Sequence, residues 1–236
     1  MVPPGSRVAD IGTDQALLPR WLLSCGRALH CIASERDPGR LARARGLRDR
    51  HPLRDRLELR SGDGASVLAP EDRVDVLIVA GLGARATCRI LARADLERLG
   101  IRRLLLQPQT APAFVRHFVL ERGFGIVEER LIEDAGRFYP ILAAEPGARA
   151  PGGRSSLSPD DLLEVGPCLL GSGSPALERF WRQELRRNEE ILALETSGRG
   201  RAAAQRRRDL SRRILEALNR LPPCGLPPEP EPGGTR

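Results

Sequence analysis

The chain has 236 residues, enough for one full α/β domain and a small appendage, and its 38 basic against 31 acidic residues leave a formal charge of +7. Every basic residue is arginine, so base composition can supply part of that charge, and only clustering along the chain argues for an anionic partner such as nucleic acid. No run of about 18 apolar residues and no charged-then-apolar leader exists, the five cysteines form no C-x-x-C pair, and the three histidines lack metal-ligand spacing. A soluble, cytoplasmic protein with reduced and mostly buried thiols, no membrane association and no metal is therefore expected.

From residue 7 onward, short apolar runs alternate with helical spacing. Strands are predicted over 7–11, 29–34, 56–60, 74–80 and 102–107, with helices over 14–24, 39–48, 84–91 and 111–122 between them, which implies a parallel sheet with right-handed crossovers. Two further runs, 125–132 and 138–144, are separated only by 133–137 with Gly136 in the turn, and strands joined so closely form a hairpin. A mostly parallel sheet ending in an antiparallel hairpin separates a methyltransferase-like Rossmann architecture from a dehydrogenase. Residues 146–156 read as a Pro/Gly linker, and 162–170 as a short connector. Two helical segments follow, with Leu177, Trp181, Leu185 and Leu192 in phase on the first and Leu210, Ile214 and Leu218 on the second. Gly198 and Gly200 interrupt the phase, so an α-helical hairpin is predicted. The division is 1–147 for the cofactor-binding α/β domain, 148–221 for linker and coiled-coil-like hairpin, and 222–236 for a disordered tail.

Asp10-Ile11-Gly12-Thr13-Asp14 ends the first strand on a carboxylate and turns on one glycine, at the place where open α/β sheets bind nucleotide-like cofactors. One glycine where dinucleotide folds carry three, together with an acid, favours a cofactor bearing an ammonium over one bearing a pyrophosphate. S-adenosylmethionine is such a cofactor. Asp10 can equally cap the helix that follows. Glu35 ends the second strand, where a carboxylate accepts from both ribose hydroxyls, and Asp63 in Gly62-Asp63-Gly64 follows the third, where it can accept from an adenine amine. Gly12, Gly64, Ala80 and Gly81 allow the backbone to approach the cofactor, or are tight turns without a ligand. No Asp/Asn-Pro-Pro-aromatic clamp follows the fourth strand, which points to methylation of a ring nitrogen and not of an exocyclic amine. Gln107-Pro108-Gln109 is a rigid lip able to read a base edge, or simply a polar turn. Tyr139 can stack on a base or belong to the core.

In this order the motifs Asp10-Ile-Gly-Thr-Asp14 with Leu18-Pro19, Ala33-Ser34-Glu35, Gly62-Asp63-Gly64, Val79-Ala80-Gly81-Leu82-Gly83, Leu106-Gln107-Pro108, Gly136-Arg137-Phe138-Tyr139, Ala144-Glu145-Pro146-Gly147 and Val165-Gly166-Pro167 resemble the bacterial tRNA adenine-N1 methyltransferases that act on adenine 22. The resemblance spans nearly the whole chain. Gln15 and Leu17 stand where the family has His and Tyr, Leu82 and Ala84 where it has Met and Gly, Gln109 where it has Asn and Glu35 where it has Asp. The family also carries a short helix ahead of the position of Val2, which implies a natural start upstream. The resemblance implies S-adenosyl-L-methionine as cofactor and tRNA as substrate, with Asp10, Glu35 and Asp63 holding the cofactor. Asp14 and the carbonyl of Gln107 would then face the positive charge that develops on the adenine. Gln109, Tyr139 and the run Arg206-Arg207-Arg208 would hold the RNA; a solvated helix face is the competing use of those arginines. The hairpin also offers a surface for a homodimer. The rival functions are a small-molecule methyltransferase and a catalytically weak RNA-binding protein that keeps the cofactor fold.

Overall fold

The computed structural model describes residues 1–149, 156–194 and 197–220. They fall into two compact units, Met1–Pro151 and Gly152–Arg236.

The first unit is built on a seven-stranded sheet of β1 (Ser6–Ile11), β2 (Ala28–Glu35), β3 (Leu57–Ser61), β4 (Val76–Leu82), β5 (Arg103–Pro108), β6 (Phe124–Asp134) and β7 (Arg137–Pro146), in the order β3-β2-β1-β4-β5-β7-β6. Strands β1 to β5 run parallel, and β7 pairs antiparallel with both β5 and β6, as the sequence predicts. Val8, Ala9, Ile11, Leu77 and Val79 are all nearly inaccessible to solvent. Consecutive apolar residues are what a parallel strand covered on both faces requires. Ala135 and Gly136 both have positive φ, 47° and 74°, the two-residue turn whose twist matches a right-handed hairpin. The strand order reverses between β1 and β4, so the crevice above their carboxyl ends is the natural ligand site.

Helices α1 (Leu17–Ser24), α2 (Pro38–Asp49), α3 (Ala84–Arg93) and α4 (Pro112–Glu121) are the crossovers. Helix α1 begins three residues later than its apolar spacing predicts, because Asp14 and Ala16 sit at φ 52° and 53° and curl the chain before the first helical turn. Strand β4 runs two residues beyond its predicted end at residue 80. Its pairing with β5 is irregular between Ala80 and Leu82, and Gly81 absorbs the irregularity at φ 73°.

In the second unit, 162–170 is no plain connector but two short helices, α5 (Pro159–Val165) and α6 (Pro167–Leu170). The Ser158 side chain caps the first by accepting from the Asp161 N–H at 3.1 Å. Helices α7 (Pro175–Leu194) and α8 (Gly198–Arg220) pack together, with Leu177, Trp181, Leu210 and Ile214 buried. Gly198 opens α8 and Gly200 lies inside it, so the break is shorter than the two glycines suggest. No helix among the described residues is long and apolar enough to cross a membrane. Most of the predicted linker and the whole predicted tail, 222–236, lie outside the described residues.

Candidate functional site

The turns after β1, β2 and β3 share one cavity. Its wall includes Gly12, Glu35, Gly62, Asp63, Gly64, Leu82 and Ile90. The turn after β1 is drawn toward β2 because the Gly12 and Thr13 N–H groups both donate to the Ser34 carbonyl at 2.9 Å. Glu35 is 5% exposed and holds two loops at once, accepting from the Asp14 N–H at 3.2 Å on one oxygen and from the Asp37 N–H at 2.9 Å on the other. Each carboxylate oxygen has a second lone pair, so a diol can still be bound. Asp63 is exposed and lies 3.3 Å from Arg93. The loop that carries it is tight, since a Cβ on Gly62 would fall 2.3 Å from Cγ1 of Val67. Leu82 and Ile90 supply apolar surface between these acids. A buried carboxylate with lone pairs to spare, beside an apolar slot edged by a second carboxylate, has the chemistry to take an adenosine moiety.

Asp10 is placed differently from Glu35 and Asp63. It sits beneath the Gly12 turn, 5% exposed, and accepts a 2.6 Å hydrogen bond from the Thr13 hydroxyl. Burial pushes its carboxyl up to about 6, and the Thr13 hydroxyl only partly offsets this. Unfolded, the group titrates near 3.8, so its protonated form favours the folded state. That contribution is full below about pH 4 and is lost as the pH rises through about 6. Relative to Asp10→Asn, the wild type should therefore gain about 2.5 kcal/mol of stability between pH 8 and pH 4. Urea midpoints of both proteins across that range measure it, and a pH-independent difference would contradict the assignment.

At the β4–β5 lip, the Gly81 N–H donates to Oε1 of Gln107 at 2.9 Å. That bond fixes the orientation of the carboxamide, since only its oxygen can accept. The carbonyl expected to face developing charge is thus already engaged, and the free end of Gln107 is the buried amide Nε2, which has no partner. Gln109 is exposed and its N–H donates to the Leu82 carbonyl at 2.9 Å. Its amide would lie 3.9 Å from a Cβ on Gly81, so the two glutamines bracket that glycine. Asp14 is exposed at the rim, 3.8 Å from Nε of Arg40. Tyr139 is half-buried on β7 opposite Ile132, away from the cofactor cavity wall.

Arg36, Arg40 and Arg89 also line the cavity. In a chain whose every basic residue is arginine nothing marks them out; Arg40 lies beside Asp14, and a carboxylate on the cofactor would give Arg36 and Arg89 a partner. Among the described residues no group of three His, Cys, Asp or Glu side chains could hold a metal. The thiols of Cys31 and Cys88 are buried, Cys31 being pushed up to about 12 mainly by that burial, whereas Cys25 is exposed.

The basic run on α8 is not free of acids. Arg207 pairs with Glu184 at 2.7 Å and Glu164 at 2.8 Å, and lies 4.7 Å over the Trp181 ring. Arg208 pairs with Asp209 at 2.8 Å. The acids that neutralise Arg207 are 23 and 43 residues away in sequence, which is why local inspection misses them. Arg206 alone of the three is exposed.

A mostly parallel sheet closed by an antiparallel hairpin, with carboxylates after β2 and β3 and glycine turns around one cavity, defines a Rossmann-like methyltransferase that uses S-adenosyl-L-methionine. The family model described as tRNA (adenine(22)-N(1))-methyltransferase matches residues 8–220. The chain belongs to that family. It is 30% identical over 190 residues to the tRNA (adenine(22)-N(1))-methyltransferase of Bacillus subtilis, covering 80% of this chain and 79% of that one. The crystal structure of Streptococcus pneumoniae Sp1610 is similar at a TM-score of 0.79 and 30% identity, over 92% of this chain and 95% of that chain. Sp1610 has also been crystallised with S-adenosyl-L-methionine. The crystal structure of the Bacillus subtilis enzyme gives a TM-score of 0.76 at 25% identity, over 91% and 94% of the two chains.

Proposed function

We propose that this protein methylates N1 of adenine 22 in tRNA, with S-adenosyl-L-methionine as methyl donor, in the cytoplasm. The observation that carries the reading is the cavity that brings Glu35 and Asp63 together beside the Gly12 turn, in a chain that matches the family model over 8–220. The cofactor supplies an electrophilic methyl group. Adenine N1 has an available lone pair, so the protein need not remove a proton from it, and its task is alignment. Glu35 holds the ribose, Asp63 faces the adenine amine, and Asp10 lends negative charge beneath the Gly12 turn. Gly64, Ala80 and Gly81 let the backbone come close. Gln107 and Asp14 border the methyl-transfer position. Asp14 offers an exposed carboxylate that stabilises the cationic product, and Gln107, its carbonyl engaged by the Gly81 N–H, braces the lip. Gln109 and Tyr139 hold the base. Residues 1–147 form the cofactor-binding domain, and the helical unit within 148–221 contacts the tRNA backbone through Arg206 and its neighbours.

Incubation with labelled S-adenosyl-L-methionine and unmodified tRNA should give methyl incorporation and a new reverse-transcription stop at position 22. Incorporation without that stop, or none at all, rejects the reading. A homodimer through the hairpin and independence from metal belong to the same reading; sedimentation and activity in the presence of a chelator test them.

A further inference from the structure

Beside the methyl-transfer lip, an open groove of about 610 Å³ lies between the first turns of α3 and α4. Gly83, Arg85, Arg89, Thr110 and Phe114 line it, and no acidic residue does. Arg85 and Arg89 are one helical turn apart on the exposed side of α3, and among the described residues neither has an acidic partner. Phe114 is 53% exposed in the first turn of α4. The groove is continuous with the lip: the Ala84 N–H donates to the Thr110 hydroxyl at 3.3 Å, and Thr110 directly follows Gln109. Arg89 lines both this groove and the cofactor cavity.

An accessible aromatic ring next to two arginines without acids matches a nucleotide strand, whose bases stack on the ring while its phosphates meet the guanidinium groups. Adenine N1 faces the partner base in paired RNA, so the target must be unpaired or flipped, and its neighbours lose stacking when that happens. We infer that this groove seats the nucleotide flanking the target adenosine, with Phe114 stacking on its base and Arg85 contacting its phosphate. The inference rests on the tRNA reading above. It places an RNA contact in the cofactor-binding unit, in addition to any on the helical one.

The test uses the full chain and unmodified tRNA, comparing wild type with Arg85→Gln, Phe114→Ala and Phe114→Trp. Arg102→Gln, an exposed charge at the amino end of β5, serves as control. Arg85→Gln and Phe114→Ala should each raise tRNA Kd and KM about tenfold, while S-adenosylhomocysteine affinity stays within about twofold of wild type. Arg85→Gln should also reduce the slope of log Kd against log salt by about one, Phe114→Ala should leave it unchanged, and Phe114→Trp should restore binding. Arg102→Gln should change none of these. If wild type methylates tRNA and both groove variants bind it within about twofold of wild type, the groove assignment fails alone. If wild type binds cofactor but methylates no tRNA, the assignment falls with the functional reading.

Discussion

Glu35→Ala should weaken binding of S-adenosylhomocysteine by about 100-fold while leaving tRNA affinity near that of wild type. The carboxylate is buried, and its two oxygens accept from the N–H groups of Asp14 and Asp37, on the loops after β1 and β2. A hydrogen bond to a charged group is worth about 1.5–3 kcal/mol. Losing those to two ribose hydroxyls removes about 3 kcal/mol or more, roughly two decades in Kd. The alanine variant also leaves both loop N–H groups without their acceptor, so part of the loss comes from loops that no longer hold the cavity open. Glu35→Gln separates the two contributions. Its single carbonyl oxygen can serve one loop, while its amide group confronts the N–H of the other, so an intermediate loss is expected. Calorimetric titration of both variants with S-adenosylhomocysteine measures this; an alanine variant within about threefold of wild type would remove Glu35 from the cofactor site.

That Glu35 and Asp63 could be picked from the sequence at all follows from the sheet. Strands β1 and β4 and the carboxyl-terminal half of β2 are buried on both faces, so their residues form apolar runs whose ends mark the carboxyl edge of the sheet. The edge strand β3 instead alternates buried Leu57 and Leu59 with exposed Glu58, and Asp63 stands out only through its flanking glycines. The hairpin was equally legible, since only five residues separate its runs. Features set by distant partners were not. The left-handed turns at Asp14 and Ala16 occur in residues without glycine's freedom, and they are held where Glu35 and Ser34 receive N–H groups from the same loop. The burial of Asp10 beneath the Gly12 turn depends on the neighbouring strands. Arg207 looked uncommitted because Glu164 and Glu184 reach it only after three helices have packed. The cavity arginines and the groove beside Phe114 were hidden for a related reason: when arginine is spread along the whole chain, only the fold reveals which guanidinium groups lack a carboxylate.

The largest stability effect should come from the Arg116–Glu129 pair, which ties the middle of α4 to β6. Both side chains are 1% exposed, and Nε of Arg116 donates to Oε1 of Glu129 at 2.7 Å. Taking two charges out of water is costly, and much of that cost is recovered only while both are present. Glu129→Ala leaves the Arg116 guanidinium buried without this carboxylate and should lower stability by about 3–5 kcal/mol. Replacing both residues with apolar ones of similar volume, Arg116→Met with Glu129→Leu, should be close to neutral. Urea denaturation of the three proteins measures both effects, and a loss below about 1 kcal/mol for Glu129→Ala would mean that water reaches the pair. The pair also bears on RNA contact, because Phe114 lies two residues before Arg116 on the same helix. A Glu129→Ala protein kept folded at low temperature should therefore lose tRNA affinity along with stability, whereas the double apolar variant should retain both.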